Sequence, residues 1–169
     1  MINHKEHIIK YFESGIKNSR AFKIGIEHEK FLFDKKTNKR VDFSTIKKMF
    51  SALSEFGWKP IMEKQNIIGL QKKGKSITLE PGNQIELSGD ILDNIHEACS
   101  ESQDYLFELQ QVTKKLNLKI VSSGFDPISK LNEVPNNPKQ RYGVMTKDMP
   151  RGGALSLDMM YRTCGTQLN

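Results

Sequence analysis

Cysteine is scarce in this chain. There are two in 169 residues, Cys99 and Cys164, with no CxxC spacing. That excludes a disulfide framework and argues against a zinc site. No apolar run approaches the roughly 20 residues of a membrane span. The opening Met-Ile-Asn-His-Lys-Glu-His lacks the apolar core of a signal peptide, which makes the cytosol the default expectation. There is no G-x-x-x-x-G-K-[ST] phosphate loop and no G-x-G-x-x-G following a strand, and Gly152-Gly153 is too weak a signal alone. Internal repeats, low-complexity segments and linkers are also absent.

What is present suffices for one sizeable core. Hydrophobic residues make up 37% and charged residues 27% of the chain, a globular balance. The 26 Lys and Arg exceed the 20 Asp and Glu, giving a net charge of +6. A positive field suits a polyanion or a nucleotide phosphate. The lysines are scattered, however, and are not interleaved with aromatics on one face, which argues against a nucleic-acid interface. A basic nucleic-acid-binding module remains a reading from another class, and steep salt dependence of duplex binding would reveal it.

The most informative stretch is 76–90, Ser-Ile-Thr-Leu-Glu-Pro-Gly-Asn-Gln-Ile-Glu-Leu-Ser-Gly-Asp. Two runs alternate polar and apolar around Pro81-Gly82, which predicts a β-hairpin. Pro81 and Gly82 suit the central positions of a type II turn, with φ > 0 at Gly82. Ile77, Leu79, Ile85 and Leu87 share one face. Ser76, Thr78, Glu80, Gln84, Glu86 and Ser88 share the other, which carries carboxylates and no cation. That pattern fits an ordinary hairpin with a wet outer face. It equally fits clustered carboxylates stabilised by a hard cation such as Mg²⁺.

A second acidic face lies upstream. Residues 22–33 read as a long strand with Ile24, Ile26, His28 and Lys30 on one face and Gly25, Glu27, Glu29 and Phe31 on the other. Glu27 and Glu29 stand two residues apart, a like-charge arrangement that costs free energy unless something offsets it. A solvated strand with lysine neighbours is the alternative. His28 points the other way and reads as a packed, hydrogen-bonded histidine.

The remaining elements follow from periodicity. An amphipathic helix is predicted over 3–18, capped by Asn3 and packing through Ile8, Ile9, Phe12 and Ile16. Ser44 caps a helix with Ile46, Met49, Phe50 and Leu53 on its apolar side, ended by Gly57. Strands near 58–62 and 67–72 lead into the hairpin as an antiparallel meander. Asp93 caps a helix over about 94–116, whose stripe includes Cys99 as a buried structural thiol. Leu118–Ser122 is a strand, 128–138 a loop of the kind that borders sites, and 139–147 a short helix. Residues 155–169 read as a strand. The chain stops at Asn169 inside that strand, which points to a truncated chain, with 1–169 a single, truncated N-terminal part of a larger domain.

Three segments in order then carry a resemblance: Ile24-Gly-Ile-Glu-His-Glu-Lys-Phe31, Leu79-Glu-Pro-Gly-Asn-Gln-Ile-Glu-Leu-Ser-Gly89, and Leu157-Asp-Met-Met-Tyr-Arg-Thr-Cys164 followed by Gln167 and Asn169. Together with Arg141-Tyr142 and Met149-Pro150 they resemble the glutamate–cysteine ligases of the plant and proteobacterial type. Family members are considerably longer, so the chain corresponds to their N-terminal portion. It departs from their pattern at Asn83, Ile85 and Gly165-Thr166, none of which removes a carboxylate.

The resemblance implies an α+β fold similar to glutamine synthetase: a curved antiparallel β-sheet with helices on the outer face, here incomplete. It implies an ATP-dependent ligase that joins the γ-carboxylate of glutamate to the amine of cysteine through a γ-glutamyl phosphate, with Mg²⁺ as cofactor and ATP as co-substrate. Carried over by motif, Glu27, Glu29, Glu80, Glu86 and Gln167 are the metal residues. Arg162 and Arg141 bind substrate carboxylate or phosphate through bidentate guanidinium contacts. Thr163 and Asn169 join Arg162 in substrate binding. Cys164 is a strand residue near the site, since the chemistry needs no thiol nucleophile. The partners are then small molecules, with no nucleic acid and no membrane. The 169 residues alone are expected to be inactive or very weak. A related carboxylate–amine ligase with a different acceptor amine is the alternative.

Overall fold

The structure, a computed structural model, describes residues 3–169, Arg20 by its backbone alone. In chain order the elements are α1 (Lys5–Glu13), β1 (Ile26–Asp34), α2 (Phe43–Leu53), β2 (Lys59–Glu63), β3 (Asn66–Lys72), β4 (Lys75–Leu79), β5 (Ile85–Ser88), α3 (Ile95–Lys115), β6 (Leu118–Val121), α4 (Gln140–Asp148), α5 (Ser156–Arg162) and β7 (Thr166–Leu168). All seven strands pair antiparallel in one open sheet. The path runs β2-β3-β4-β5-β1-β6, with β7 beside the first half of β1. The expected α+β architecture and its meander are therefore present.

Period two sorts the sheet into two unlike faces. Leu32, Leu70, Ile77, Leu79, Ile85 and Leu87 are fully buried on one face. They form one core with Ile46, Met49, Phe50 and Leu53 of α2 and Tyr105, Leu109 and Val112 of α3. Burying each large side chain contributes roughly 1.5–3 kcal/mol, so this layer carries most of the folding free energy. His28 lies on the same side, its Nε2 3.1 Å from Ser102 Oγ of α3. Burial, then Lys30, hold its pKa below the usual imidazole value. It is the packed histidine that the alternation suggests.

Several boundaries differ from the sequence reading for local reasons. Asp42, not Ser44, caps α2: its carboxylate accepts from the Thr45 amide at 2.8 Å. Asn94, not Asp93, caps α3 by accepting from the His96 and Glu97 amides. Gly57 does end the α2 segment, in the left-handed region at φ 86°. The buried face of α3 is Ala98, Glu101, Tyr105, Leu109, Val112 and Thr113, which leaves Cys99 exposed. Glu101 belongs to that face because it accepts from the Asp90 amide and pairs with Lys75 at 3.4 Å. A charged residue at the centre of the face hid the true stripe.

The N-terminal helix is shorter than 3–18 and does not pack. His4 precedes it with no side-chain cap, and none of its residues is buried. Phe12 and Ile16 of the expected stripe are 71% and 79% exposed.

The other face of the sheet is half covered by residues 123–164. Cys164 packs there with Phe31, Phe33 and Val121. Val134, Tyr142, Met160 and Tyr161 make a small second core above the hairpin turn. Residues 156–162 form α5 rather than part of a strand. Leu157, Met160 and Tyr161 fall on that core at helical spacing.

One ion pair fastens this cover to the sheet. Arg40 Nη1 donates to Asp126 Oδ2 at 2.9 Å, with side chains 1% and 0% exposed. Arg40 Nη2 donates to Gly82 O and, at 3.2 Å, to Gln84 Oε1. Its guanidinium carbon lies 4.6 Å from the Phe31 ring centre. Burial alone would raise the Asp126 carboxyl, but amide hydrogen bonds from Ser129 and Ile128, with Arg40, hold it below the usual carboxylate range. Removing one partner of a buried pair leaves an uncompensated charge. Asp126→Asn is therefore expected to cost about 3–5 kcal/mol in urea unfolding at neutral pH, and a variant within 0.5 kcal/mol of the parent would contradict this anchoring role.

Candidate metal and substrate site

The hairpin places its carboxylates differently from a type II turn. Asn83, not Gly82, takes the left-handed conformation at φ 62°. Glu80 N donates to Gln84 O at 2.8 Å and Asn83 N to Glu80 O at 2.9 Å, a three-residue loop that closes on its left-handed residue. Asn tolerates that region, and Asn83 Nδ2 also donates to Val41 O at 3.0 Å. Gly82 is required for a different reason. A Cβ there would stand 2.7 Å from Tyr161 O and 2.7 Å from Val134 Cγ1. The whole turn from Pro81 to Gln84 is buried, so Glu80 and Glu86 project from a fixed frame.

Register then brings the carboxylates together. Glu29 of β1 pairs directly with Glu86 of β5. Glu80 lies diagonally across, since Thr78 of β4 is the residue opposite Glu86. Glu29, Glu80 and Glu86 each bring an oxygen within 4.8 Å of the other two, and all three are half-buried. Glu29 Oε2 accepts from the Gly165 amide at 2.7 Å, and Glu86 Oε1 accepts from Ser88 Oγ at 2.8 Å.

The cost of this arrangement appears in the proton affinities. Glu80 is pushed up to about 7, first by burial, then by the hydrogen bond with Glu86 and the Glu86 and Glu29 charges. Glu29 is also raised, by burial first and by Glu86 and Glu27, against the Gly165 hydrogen bond. Three half-buried carboxylates with hard oxygen donors are a donor set that suits Mg²⁺, and a bound cation relieves the repulsion that raises these values.

The other expected site residues lie around this cluster at differing distances. Glu27 and Gln167 face each other across β1 and β7, and Glu27 Oε1 accepts from Asn169 Nδ2 at 3.2 Å. They extend the acidic face beyond the three clustered carboxylates. Gln167 and Asn169 are exposed. Arg162 pairs with Asp158 at 2.7 Å and stacks 4.4 Å from the Phe125 ring centre. Its Nε is buried without a partner among the described residues. Thr163 Oγ1 caps Met159 O, and the Thr163 carbonyl accepts from Gln84 Nε2 at 2.9 Å. Arg141 reaches Glu80 at 3.7 Å. Cys164 is a buried loop residue between α5 and β7, and burial first, then Glu29, pushes its thiol up to about 12. That suits a packing role.

Three features had no reading in the sequence. Lys139 is buried, and its Nζ donates to Leu79 O at 2.7 Å, so the acidic face does have a cation nearby. Asn137 Nδ2 donates to Glu80 O at 2.8 Å and Pro81 O at 3.2 Å. Met145, Met149, Met159 and Met160 line a cleft of ≈ 220 Å³ with Glu29, Glu80 and Thr163. Four of the seven methionines fall between 145 and 160, a bias that signalled an adaptable apolar wall.

The chain belongs to glutamate-cysteine ligase family 2, whose pattern matches residues 23–169. The resemblance drawn from the three motifs is thereby borne out. Over 166 residues, 98% of this chain, it is 40% identical to a chloroplastic glutamate–cysteine ligase of Nicotiana tabacum, covering 32% of that protein. It is 40% identical to glutamate–cysteine ligase A, chloroplastic, of Oryza sativa subsp. japonica (34% covered) and 39% identical to the chloroplastic enzyme of Arabidopsis thaliana (32% covered). The chain thus spans about a third of the length of the curated relatives it matches.

These names correct the cytosolic expectation, since the relatives are chloroplast enzymes. An apolar core marks export signals, whereas organelle transit peptides are amphipathic and rich in Arg and Ser. Separately, no described helix is long and apolar enough to cross a membrane.

The raised Glu80 pKa fixes the sign of a pH effect. A group whose pKa rises from 4.5 unfolded to about 7 folded contributes stability below the unfolded value and loses it as pH rises through the folded one. In EDTA, unfolding free energy is expected to fall between about pH 5 and 7, by on the order of 2 kcal/mol. Glu80→Gln should flatten that slope, and an equal slope in the variant would contradict the assignment.

Proposed function

We propose that this chain forms the metal-binding and glutamate-side wall of an ATP-dependent glutamate–cysteine ligase. The observation that carries the reading is the convergence of Glu29, Glu80 and Glu86 on one sheet face, in a chain of the glutamate–cysteine ligase family. Glu29, Glu80 and Glu86 would hold Mg²⁺, and Glu27 and Gln167 extend the same face toward its open end. A Mg²⁺ held by these carboxylates would supply charge neutralisation for phosphoryl oxygens during phosphorylation of a carboxylate.

The chain's own residues supply positioning. The β1–β5 register sets the spacing of Glu29 and Glu86, and the buried turn fixes Glu80. Arg141, exposed beside Glu80, is suited to an incoming carboxylate or phosphate. Arg162 would do the same on release from Asp158, with Thr163 and Asn169 beside it. The methionine cleft shields one side of the carboxylates from water and so strengthens the electrostatics within.

Residues 1–169 alone span about a third of the relatives' length, and turnover by them alone is expected to be absent or very weak. The test is a chimera in which they replace the matching segment of the tobacco enzyme. With glutamate, cysteine and MgATP it should form γ-glutamylcysteine, and Glu29→Gln or Glu86→Gln should lower kcat by roughly 10²–10⁴-fold. Unchanged rates in both variants would overturn the metal assignment. Faster turnover with another amine in place of cysteine would overturn the acceptor.

A further inference from the structure

The start of α4 is tied to the hairpin more densely than packing requires. Three side chains from residues 137–142 donate to Leu79, Glu80 and Pro81, and Arg141 donates to one of the three. Asn137 Nδ2 donates to Glu80 O and Pro81 O. Lys139 Nζ donates to Leu79 O at 2.7 Å. The Tyr142 hydroxyl lies 2.8 Å from Leu79 O and 3.2 Å from Glu80 Oε1. Arg141 Nη2 donates to that hydroxyl at 2.6 Å, with its guanidinium carbon 4.7 Å from the Tyr142 ring centre. The tyrosine is only 4% exposed, so its ring cannot swing away without opening the small core that holds Val134, Met160 and Tyr161.

We infer that Tyr142 is the positioning residue for Glu80, its hydroxyl holding one carboxylate oxygen of Glu80 so that the other stays turned toward Glu29 and Glu86. The inference rests on the metal reading above and adds a residue to it. A hydroxyl has one proton to donate. Leu79 O, with two lone pairs, accepts from both Lys139 and Tyr142, and the single Tyr142 proton is shared between Leu79 O at 2.8 Å and Glu80 Oε1 at 3.2 Å. Arg141 donates to the same oxygen from the other side and polarises the O–H toward Glu80. A half-buried carboxylate on a strand end has several rotamers open to it, and a hydrogen bond from a buried ring selects one. Outer partners of this kind typically change metal affinity by about 10–100-fold when removed. Glu29 and Glu86 have their own partners in the Gly165 amide and Ser88, so each clustered carboxylate is held by a separate donor.

The experiment compares Mn²⁺ affinity, read by electron paramagnetic resonance of free Mn²⁺ at pH 8, in the 169-residue chain and two variants. Tyr142→Phe keeps the ring and deletes the hydroxyl. Thr146→Val serves as control, because Thr146 Oγ1 bonds Tyr142 O and Tyr161 OH, both at 2.6 Å, on the same helix without reaching Glu80. Both variants should keep the parent's circular dichroism and lower its melting temperature. Only Tyr142→Phe should weaken Mn²⁺ binding, by roughly ten-fold. Equal affinity in Tyr142→Phe and parent overturns the positioning role and leaves the metal site standing. An equal loss in both variants also overturns it, by showing a general effect of helix packing. Absence of saturable Mn²⁺ binding in the parent itself overturns the metal reading, and the inference with it.

Discussion

Arg40 and Asp126 meet with neither side chain in contact with water. Their union is what turns a two-layer sheet-and-helix structure into one with a site. Without it, residues 123–164 have only a small core of their own with which to cover the second face. Burying a guanidinium is costly, and here the cost is met by a carboxylate, the Gly82 carbonyl, the Gln84 amide and the Phe31 ring. These partners come from three parts of the site frame. The hairpin turn, the first strand and the covering segment are therefore held by one side chain. Such a pair adds little net stability over an apolar replacement but tolerates no single loss.

From that anchor the logic of the acidic face follows. Asp126 brings its segment down, and the carbonyls of Arg162 and Gly124 then extend the sheet edge by bonding the Asp126 and Cys164 amides. The following residues lie back along β1, where Gly165 donates to Glu29. On the opposite side α4 reaches the hairpin through Asn137, Lys139 and Tyr142. The carboxylates are thus gripped from both flanks while their open side stays wet. Burial and repulsion among them raise the Glu80 and Glu29 pKa values. A rigid frame is what allows like charges to persist at this spacing, and it is the kind of preorganisation that phosphoryl transfer uses.

Local chemistry made much of this legible. Alternation alone separated Ile77, Leu79, Ile85 and Leu87 from Glu80 and Glu86, and Glu29 from His28. The face that each side chain takes depends only on strand geometry. The apolar side of α2 was legible for the same reason, and so was the left-handed stop at Gly57. Reading failed where a local rule admits two answers. Pro81-Gly82 suits one turn, but an adjacent Asn83 can also accept positive φ, and the bond to Val41 decides for it. Leu157 to Arg162 fits either period, and the core over the hairpin selects a helix. The amphipathic stripe of α1 promised a neighbour, and among the described residues it is exposed.

By itself, then, the sequence determined which residues are acidic, which face each strand turns inward, and which family the chain resembles, because these depend on neighbours two to four positions away. Tertiary structure alone decided that Glu29, Glu80 and Glu86 form the cluster while Glu27 stands one step along β1 opposite Gln167, since strand register is set by pairing across the chain. It alone decided that Arg40 is buried against a carboxylate 86 positions on, and that Asn137, Lys139 and Tyr142 grip the hairpin. Those roles come from contacts 42 to 86 residues apart, where no local pattern carries a trace and only the folded packing supplies the partner.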